Sequence, residues 1–342
     1  MTAPEVKTLF TACDDQDKSR PGDVLFLYAP PAAVWPDWLG DIGGVCYQPF
    51  KTDHHFTDRV KAVSLPEKIQ DGPYDLVLML APKNREERRA LIRFALARLA
   101  KEGSLVVCAA NDAGGKTLEK DLKDCPGLEG ARFDVTIKHK CRAVRVSGHQ
   151  QFEARDRAGP PGMILPETTG LWSYPGMYGW DKIDRGSELL AQTVPALYGT
   201  VADFGCGTGY LLLKALEKSN RIEGIYGLDN DARAVASTER NVQDHPAGVP
   251  CETIWADCTQ ALPMLPPVDR IITNPPFHTG KKADPDLGLD FITTARDYLK
   301  DQGQIYLVAN THLPYEARLR KLFRKTDTMT QKDGFKILWA QK

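Results

Sequence analysis

Apolar and polar positions follow two rhythms along this chain. Short apolar runs recur, among them "DVLFLYAP" (Asp23 to Pro30), "DLVLML" (Asp75 to Leu80), "SLVVCAA" (Ser104 to Ala110), "TVADF" (Thr200 to Phe204), "IYGLD" (Ile225 to Asp229) and "RIIT" (Arg270 to Thr273). Each is too short for a helix and is bounded by turn-forming residues, so each predicts a buried strand. Between them lie segments with apolar residues every three to four positions, such as "REERRALIRFALARLA" (Arg85 to Ala100) and "YLLLKALE" (Tyr210 to Glu217). These predict amphipathic helices. Strands alternating with helices predict parallel pairing in a doubly wound α/β sheet.

The rhythm is written twice. "PYDLVLMLAPKN" (Pro73 to Asn84) resembles "PVDRIITNPPFH" (Pro267 to His278), and "ARLAKEGSLVVCAAND" (Ala97 to Asp112) resembles "RDYLKDQGQIYLVANT" (Arg296 to Thr311). "TIKHKCRAVRV" (Thr136 to Val146) then resembles "TQKDGFKILWA" (Thr330 to Ala340). Three matches in one order predict an internal duplication, hence two tandem Rossmann-like domains, each closed by an antiparallel edge. The polar "GHQQFEARDRAGPPG" (Gly148 to Gly162) reads as a linker. The expected division is domain 1–150, linker 151–170 and domain 171–342. The copies differ at one place. "TVADF" runs into "GCGTG", whereas "DVLFLYAP" runs into "PAAVW" without a glycine.

The totals narrow the class. A length of 342 residues suits two domains, with 42% hydrophobic and 26% charged residues. No apolar run reaches a membrane span, and the start "MTAPEVKTLF" does not read as a signal peptide. Eight cysteines without a CxxC pair predict neither a disulfide framework nor a metal site. A cytoplasmic monomer is expected. The net charge of −1 means that a nucleic-acid surface must be a local patch.

Candidate chemistry concentrates in the second copy. Gly205, Gly207 and Gly209 form G-x-G-x-G between a strand and a helix, where backbone can approach a nucleotide-like ligand. Asp229 closes the next strand and can accept from two ribose hydroxyls, which would also suit NAD. The glycine spacing is shorter than a dinucleotide site expects, however, and Asp203 precedes the first glycine, where a phosphate would be repelled. A cationic, phosphate-free ligand fits better. S-adenosyl-L-methionine, with a sulfonium and an amino group, is the predicted cofactor. Asp257, after the third strand, could accept from the adenine amino group or could cap a helix.

Asn274, Pro275, Pro276 and Phe277 end the fourth strand, at the edge of the crevice where such sheets bind ligands. This set suits methyl transfer to the exocyclic amine of a base. The nitrogen lone pair is delocalised into the ring, so the amine is a poor nucleophile. The Asn274 side-chain oxygen and the Pro275 carbonyl can accept its two hydrogens, aim the lone pair and stabilise the developing charge. The prolines stiffen the turn, and Phe277 offers a face for a flipped base. His278 reads as a turn residue and Cys206 as a buried filler.

"ADFGCGTG", "NPPFH", "VANTHLPY" (Val308 to Tyr315) and "PGMYGWDKIDRGSELL" (Pro175 to Leu190) together resemble the bacterial rRNA guanine-N2 methyltransferases, most of all the branch acting on the 16S rRNA of the small subunit. The likeness runs from about Pro175 to the end and more faintly through "VVCAANDAGGKTLEKDL". It implies that both domains have the methyltransferase fold, the first degenerate and engaging RNA. It also implies that Asp184 and Gly186 join Asp203, Gly205, Gly207, Gly209, Asp229, Asp257 and Asn274 around the cofactor. Trp172, Trp180 and "DKIDRG" make the cofactor-covering segment bulkier than the family pattern.

Basic residues cluster late in both copies. Lys138, Lys140, Arg142, Arg132 and Arg145 face only Asp134, and the stretch from Lys300 onward, which includes Lys336, is also basic. Lys281 and Lys282 directly follow the Asn-Pro-Pro-Phe turn. These are the candidate RNA contacts, which would position RNA through its phosphates. The competing readings are a large-subunit 23S rRNA guanine-N2 methyltransferase, a glutamine-N5 methyltransferase of a translation factor, and a non-enzymatic RNA-binding scaffold.

Overall fold

The computed structural model describes residues 2–13, 22–40, 43–51, 56, 59–126, 128, 130–148, 161–276, 278–279, 282–283 and 285–342. The chain divides into two units, Met1–Gly162 and Met163–Lys342. In the first unit seven strands form one sheet: β1 (Asp23–Leu27), β2 (Gly43–Tyr47), β3 (Val60–Val63), β4 (Tyr74–Leu80), β5 (Leu99–Ala110), β6 (Arg132–Lys138) and β7 (Cys141–Ser147). Their order is β3-β2-β1-β4-β5-β7-β6. The first five are parallel, and the β6–β7 hairpin adds an antiparallel edge to β5.

The second unit repeats this plan. Its sheet contains β8 (Gly199–Phe204), β9 (Ile222–Asp229), β10 (Cys251–Trp255), β11 (Val268–Thr273), β14 (Leu299–Asn310), β15 (Lys325–Lys332) and β16 (Phe335–Gln341). The order β10-β9-β8-β11-β14-β16-β15 is the first unit's order, strand for strand. A two-residue ladder, β12 (His278–Thr279) with β13 (Lys282–Ala283), follows the Asn-Pro-Pro turn. The expected doubly wound fold and its duplication are therefore present.

Burial on both faces explains why the strands read as continuous apolar runs. Successive residues of β8 and β11 point to opposite sides. Ala202, Phe204 and Ile271 pack in one cluster with Phe291 and Ile292, and Val201 and Ile272 pack in another with Leu190 and Leu212. Strand order reverses between β8 and β11, so their carboxyl ends form the crevice where ligands bind in such sheets.

Register aligns the two units residue by residue. Leu27 pairs with Met79 and with Tyr47, as Phe204 pairs with Thr273 and with Leu228. Tyr28 thus occupies the place of Gly205, Leu80 that of Asn274, and Gln48 that of Asp229.

Candidate active site

After Phe204 the chain turns through Gly205, Cys206, Gly207, Thr208 and Gly209 into the helix Tyr210–Lys218. Gly205, Gly207 and Gly209 have φ of +79°, +55° and +79°, a region that side chains with a Cβ rarely adopt. A Cβ on Gly207 would meet nothing within 4 Å, so its backbone borders open space. On Gly209 it would lie 3.2 Å from Thr238 Cγ2, a tight contact added to the cost of its positive φ. The helix Ala232–Gln243 ties the loop from behind: Thr238 Oγ1 donates to the Gly207 carbonyl (3.2 Å) and Asn241 Nδ2 to the Thr208 carbonyl (2.9 Å). Asn241 also exchanges hydrogen bonds with the Trp172 backbone, at 2.9 and 2.8 Å.

Three carboxylates surround this loop. Asp229 Oδ2 accepts from Gly207 N (3.0 Å) and Oδ1 from Asp231 N (2.9 Å), leaving a further lone pair on each oxygen. Burial pushes its carboxyl up to about 6, against the pull of the backbone N–H groups. Asp203, 1% exposed within β8, has no partner on either carboxylate oxygen among the described residues. Burial, and then the charge of Asp229, holds it well above the usual carboxylate range. Buried polar groups are seldom left unpaired, and a cation brought here would counter the desolvation and the repulsion together. An orphaned acid, a second acid at the next strand end and a glycine facing open space fit S-adenosylmethionine. Asp257 Oδ1 caps a turn, accepting from Thr259 N (2.9 Å) and Thr259 Oγ1 (2.7 Å). Its other oxygen has no partner among the described residues.

At the end of β11, Thr273 Oγ1 donates to the Phe204 carbonyl (2.6 Å), locking the two central strands at the crevice. Asn274 comes next, and a Cβ on Gly205 would lie 3.9 Å from its carbonyl oxygen, so this turn borders the glycine loop. Pro275 is buried and Pro276 exposed. Asn274 Nδ2 donates to Asp184 Oδ2 (2.9 Å) and to Ser187 Oγ (2.9 Å), while no described residue donates to its Oδ1. Asp184 is the N-cap of the helix Arg185–Thr193: its Oδ2 accepts from Ser187 N (2.8 Å) and its Oδ1 from Tyr178 OH (2.6 Å). Tyr178 is 68% exposed, and partial desolvation followed by the bond to Asp184 raises its pKa.

A Cβ on Gly186 would lie 3.1 Å from both Asp184 Oδ2 and Phe335 Cε1, so a side chain there would press on both. Asp184 touches Asn274 directly. Tyr178 and Ser187 were missed. An Asp three residues before a Ser at a helix start signals the cap, but nothing local announces a partner 90 residues away. Phe277 and Lys281 lie outside the described residues, and Lys282 is placed by its backbone alone.

The basic candidates separate. Lys138 and Lys140 are exposed at the tip of the β6–β7 hairpin. Lys336 is not available to RNA: it is 4% exposed, pairs with Glu316 (2.6 Å) and donates to the Leu313 carbonyl (2.6 Å). A buried lysine needs such partners, and the pattern of charges along the chain does not reveal them. Arg142 is partly covered and faces Glu119 at 3.7 Å, and Arg145 is buried against Ser104. Among the described residues no group of three or more His, Cys, Asp or Glu could hold a metal ion, and no helix is long and apolar enough to cross a membrane.

Comparison with known proteins places this geometry. The family described as Methyltransferase small domain matches residues 168–339, and its N-terminal companion, Methyltransferase small domain N-terminal, matches residues 45–132. The ribosomal RNA small subunit methyltransferase C of Aliivibrio fischeri is 30% identical over 275 residues, 78% of this chain and 78% of that protein. Its namesake from Pseudomonas syringae is 29% identical over 334 residues, 94% of this chain and 92% of the other. Among solved structures, the T. thermophilus 16S rRNA N2 methyltransferase RsmC, in complex with AdoMet and guanosine, superposes with a TM-score of 0.79 at 22% identity, covering 99% of this chain and 92% of that one. That likeness concerns the fold. With a glycine loop, flanking acids and an Asn-Pro-Pro turn on a duplicated sheet, the chain belongs to the methyltransferase small domain family, in its ribosomal RNA small subunit methyltransferase C branch.

Proposed function

We propose that this protein transfers a methyl group from S-adenosylmethionine to the exocyclic N2 amine of a guanosine in 16S rRNA. One observation carries the proposal. Asn274 stands at the carboxyl end of β11, beside the glycine loop, with its amide nitrogen tied down by Asp184 and Ser187 and its amide oxygen without a donor among the described residues. An acceptor in that position matches an N–H-bearing nucleophile. The curated relatives, named for the ribosomal small subunit, favour RNA over a protein glutamine and the small subunit over the large.

When bound, the cofactor supplies a methyl group activated by a sulfonium. The chain supplies placement. Asp229 and the open backbone at Gly207 are suited to hold the nucleoside half, and Asp203 favours a positive charge nearby. Asn274 Oδ1 and the Pro275 carbonyl accept the two N2 hydrogens, which draws the nitrogen toward tetrahedral geometry and directs its lone pair. Both acceptors gain strength as the nitrogen becomes cationic. The proton leaves to water after transfer, because a methylated cationic aniline-like nitrogen is strongly acidic, so no strong base is required. We assign Phe277 to stacking on the flipped base, and Lys138, Lys140, Lys281 and Lys282 to RNA phosphates.

Transfer of tritiated methyl groups to 16S rRNA, 23S rRNA and protein, followed by nucleoside analysis, tests this reading. Label should elute as N2-methylguanosine from 16S rRNA. Label in adenine, in 23S rRNA or in protein would overturn it.

A further inference from the structure

The task assigned to Asn274 requires that its oxygen, and not its NH2, face the acceptor amine. The two ends of a side-chain amide have nearly the same size, so packing cannot choose between them. Hydrogen-bond chemistry can. An ionised carboxylate only accepts, and Asp184 Oδ2 lies 2.9 Å from the Asn274 amide nitrogen. Turning the amide over would set its oxygen against that carboxylate. Asp184 is itself held on both oxygens, by Tyr178 OH at 2.6 Å and by Ser187 N at 2.8 Å. Ser187 contributes twice, its backbone N–H to Asp184 and its hydroxyl as the second acceptor of the Asn274 amide, at 2.9 Å.

We infer that Asp184, held by Tyr178 and Ser187, is a positioning residue that fixes the polarity of the Asn274 amide. Its charge has a second effect. A hydrogen bond from the amide nitrogen to an anion polarises the amide and makes Oδ1 a stronger acceptor. That gain grows as the target nitrogen becomes positive, so it falls on turnover. The inference rests on the reading of Asn274 given above, and it moves Asp184 from cofactor binding to orientation of the acceptor site.

Asp184→Asn is the discriminating variant. It keeps an oxygen to cap Ser187 N but adds an NH2, so Asn274 is accepted in either orientation. With 16S rRNA as substrate, kcat should fall roughly 10- to 100-fold, the range for losing a partner one bond removed from the reacting group. S-adenosylmethionine affinity, KM for RNA and Tm should stay close to the parent. In an Asn274→Ala background the same change should cost nothing further, because the group it orients is gone. Ser187→Ala, which leaves the backbone cap in place, should give a smaller loss confined to kcat, and it serves if Asp184→Asn does not fold. Unchanged kcat in both variants, or a loss appearing as weakened cofactor affinity, would overturn the inference. Loss in Asn274→Ala with none in Asp184→Asn would reject the positioning role alone, whereas full activity in Asn274→Ala would reject the reading of Asn274 itself.

Discussion

The carboxyl ends of β1 and β4 and those of β8 and β11 are the same place built twice. Where Gly205 opens the second unit's loop at φ +79°, the first unit has Tyr28, held at φ +59°. Its ring packs edge-on against Tyr47, with centroids 5.5 Å apart, and its hydroxyl donates to Glu87. Pro30 stands in the place of Gly207 and has no N–H to give. Gln48 accordingly replaces Asp229: it accepts from Phe50 N at 3.2 Å, as Asp229 does from Asp231 N, but donates its own NH2 to the Ala29 carbonyl at 3.0 Å. Phe26 takes the place of Asp203, and Leu80 that of Asn274. One set of backbone hydrogen bonds therefore supports either a ligand crevice or a plug of side chains. The sheet fixes where a site can be, and these five positions decide whether there is one.

Moving first-unit residues into the second unit breaks this comparison most severely. Asn274→Leu, which imports Leu80, should lower turnover by roughly a hundredfold or more, as for loss of one positioned electrostatic partner. Cofactor affinity should barely change. Single-turnover methyl transfer and a binding titration separate the two effects, and a variant that keeps its turnover would show that the turn does not contact the acceptor.

Next in size is Asp229→Gln, which imports Gln48. Removing the charged acceptor proposed for the ribose hydroxyls should weaken S-adenosylmethionine binding by about 1.5–3 kcal/mol, or roughly 10- to 150-fold. Turnover at saturating cofactor should be largely kept. A fall in kcat at unchanged affinity would place Asp229 elsewhere in the reaction.

A pH titration sharpens the same point. The Asp229 carboxyl sits at about 6 in the folded chain, and its ionised form is the better acceptor. Affinity should therefore hold above pH 6 and fall as pH drops through it, by about tenfold between pH 7 and pH 5 for one titrating group. Binding below pH 6 should release a proton. In Asp229→Gln the profile should be flat, and a parent profile equally flat would show that this carboxylate does not contact the ligand.

The smallest effect concerns the first unit's surface. Replacing Lys138 and Lys140 with Ala should weaken 16S rRNA binding a few-fold and reduce the slope of log affinity against log salt by roughly one to two, with cofactor affinity unchanged. An unaltered slope would mean that the hairpin tip is only solvated.

Much of this contrast is legible in the sequence, for a physical reason. Strand patterns, the glycine turn and Asn-Pro-Pro are local, and local rules read them. What escapes is set by the fold. Asp184 and Asn274 meet across 90 residues, and Lys336 looks like a surface cation until Glu316 is brought to 2.6 Å. The contact that a side chain at Gly186 would make with Phe335 is likewise set across the fold. Tyr28 in the left-handed region breaks a local preference outright, and surrounding aromatic packing holds it there.

The central claim is that the two crevices share a plan but only the second admits the cofactor. Calorimetric titration of S-adenosylmethionine into the whole chain tests it most directly. The account predicts one site per chain, lost when Tyr28 is imported as Gly205→Tyr. A stoichiometry of two, or a single site that survives Gly205→Tyr, would contradict it.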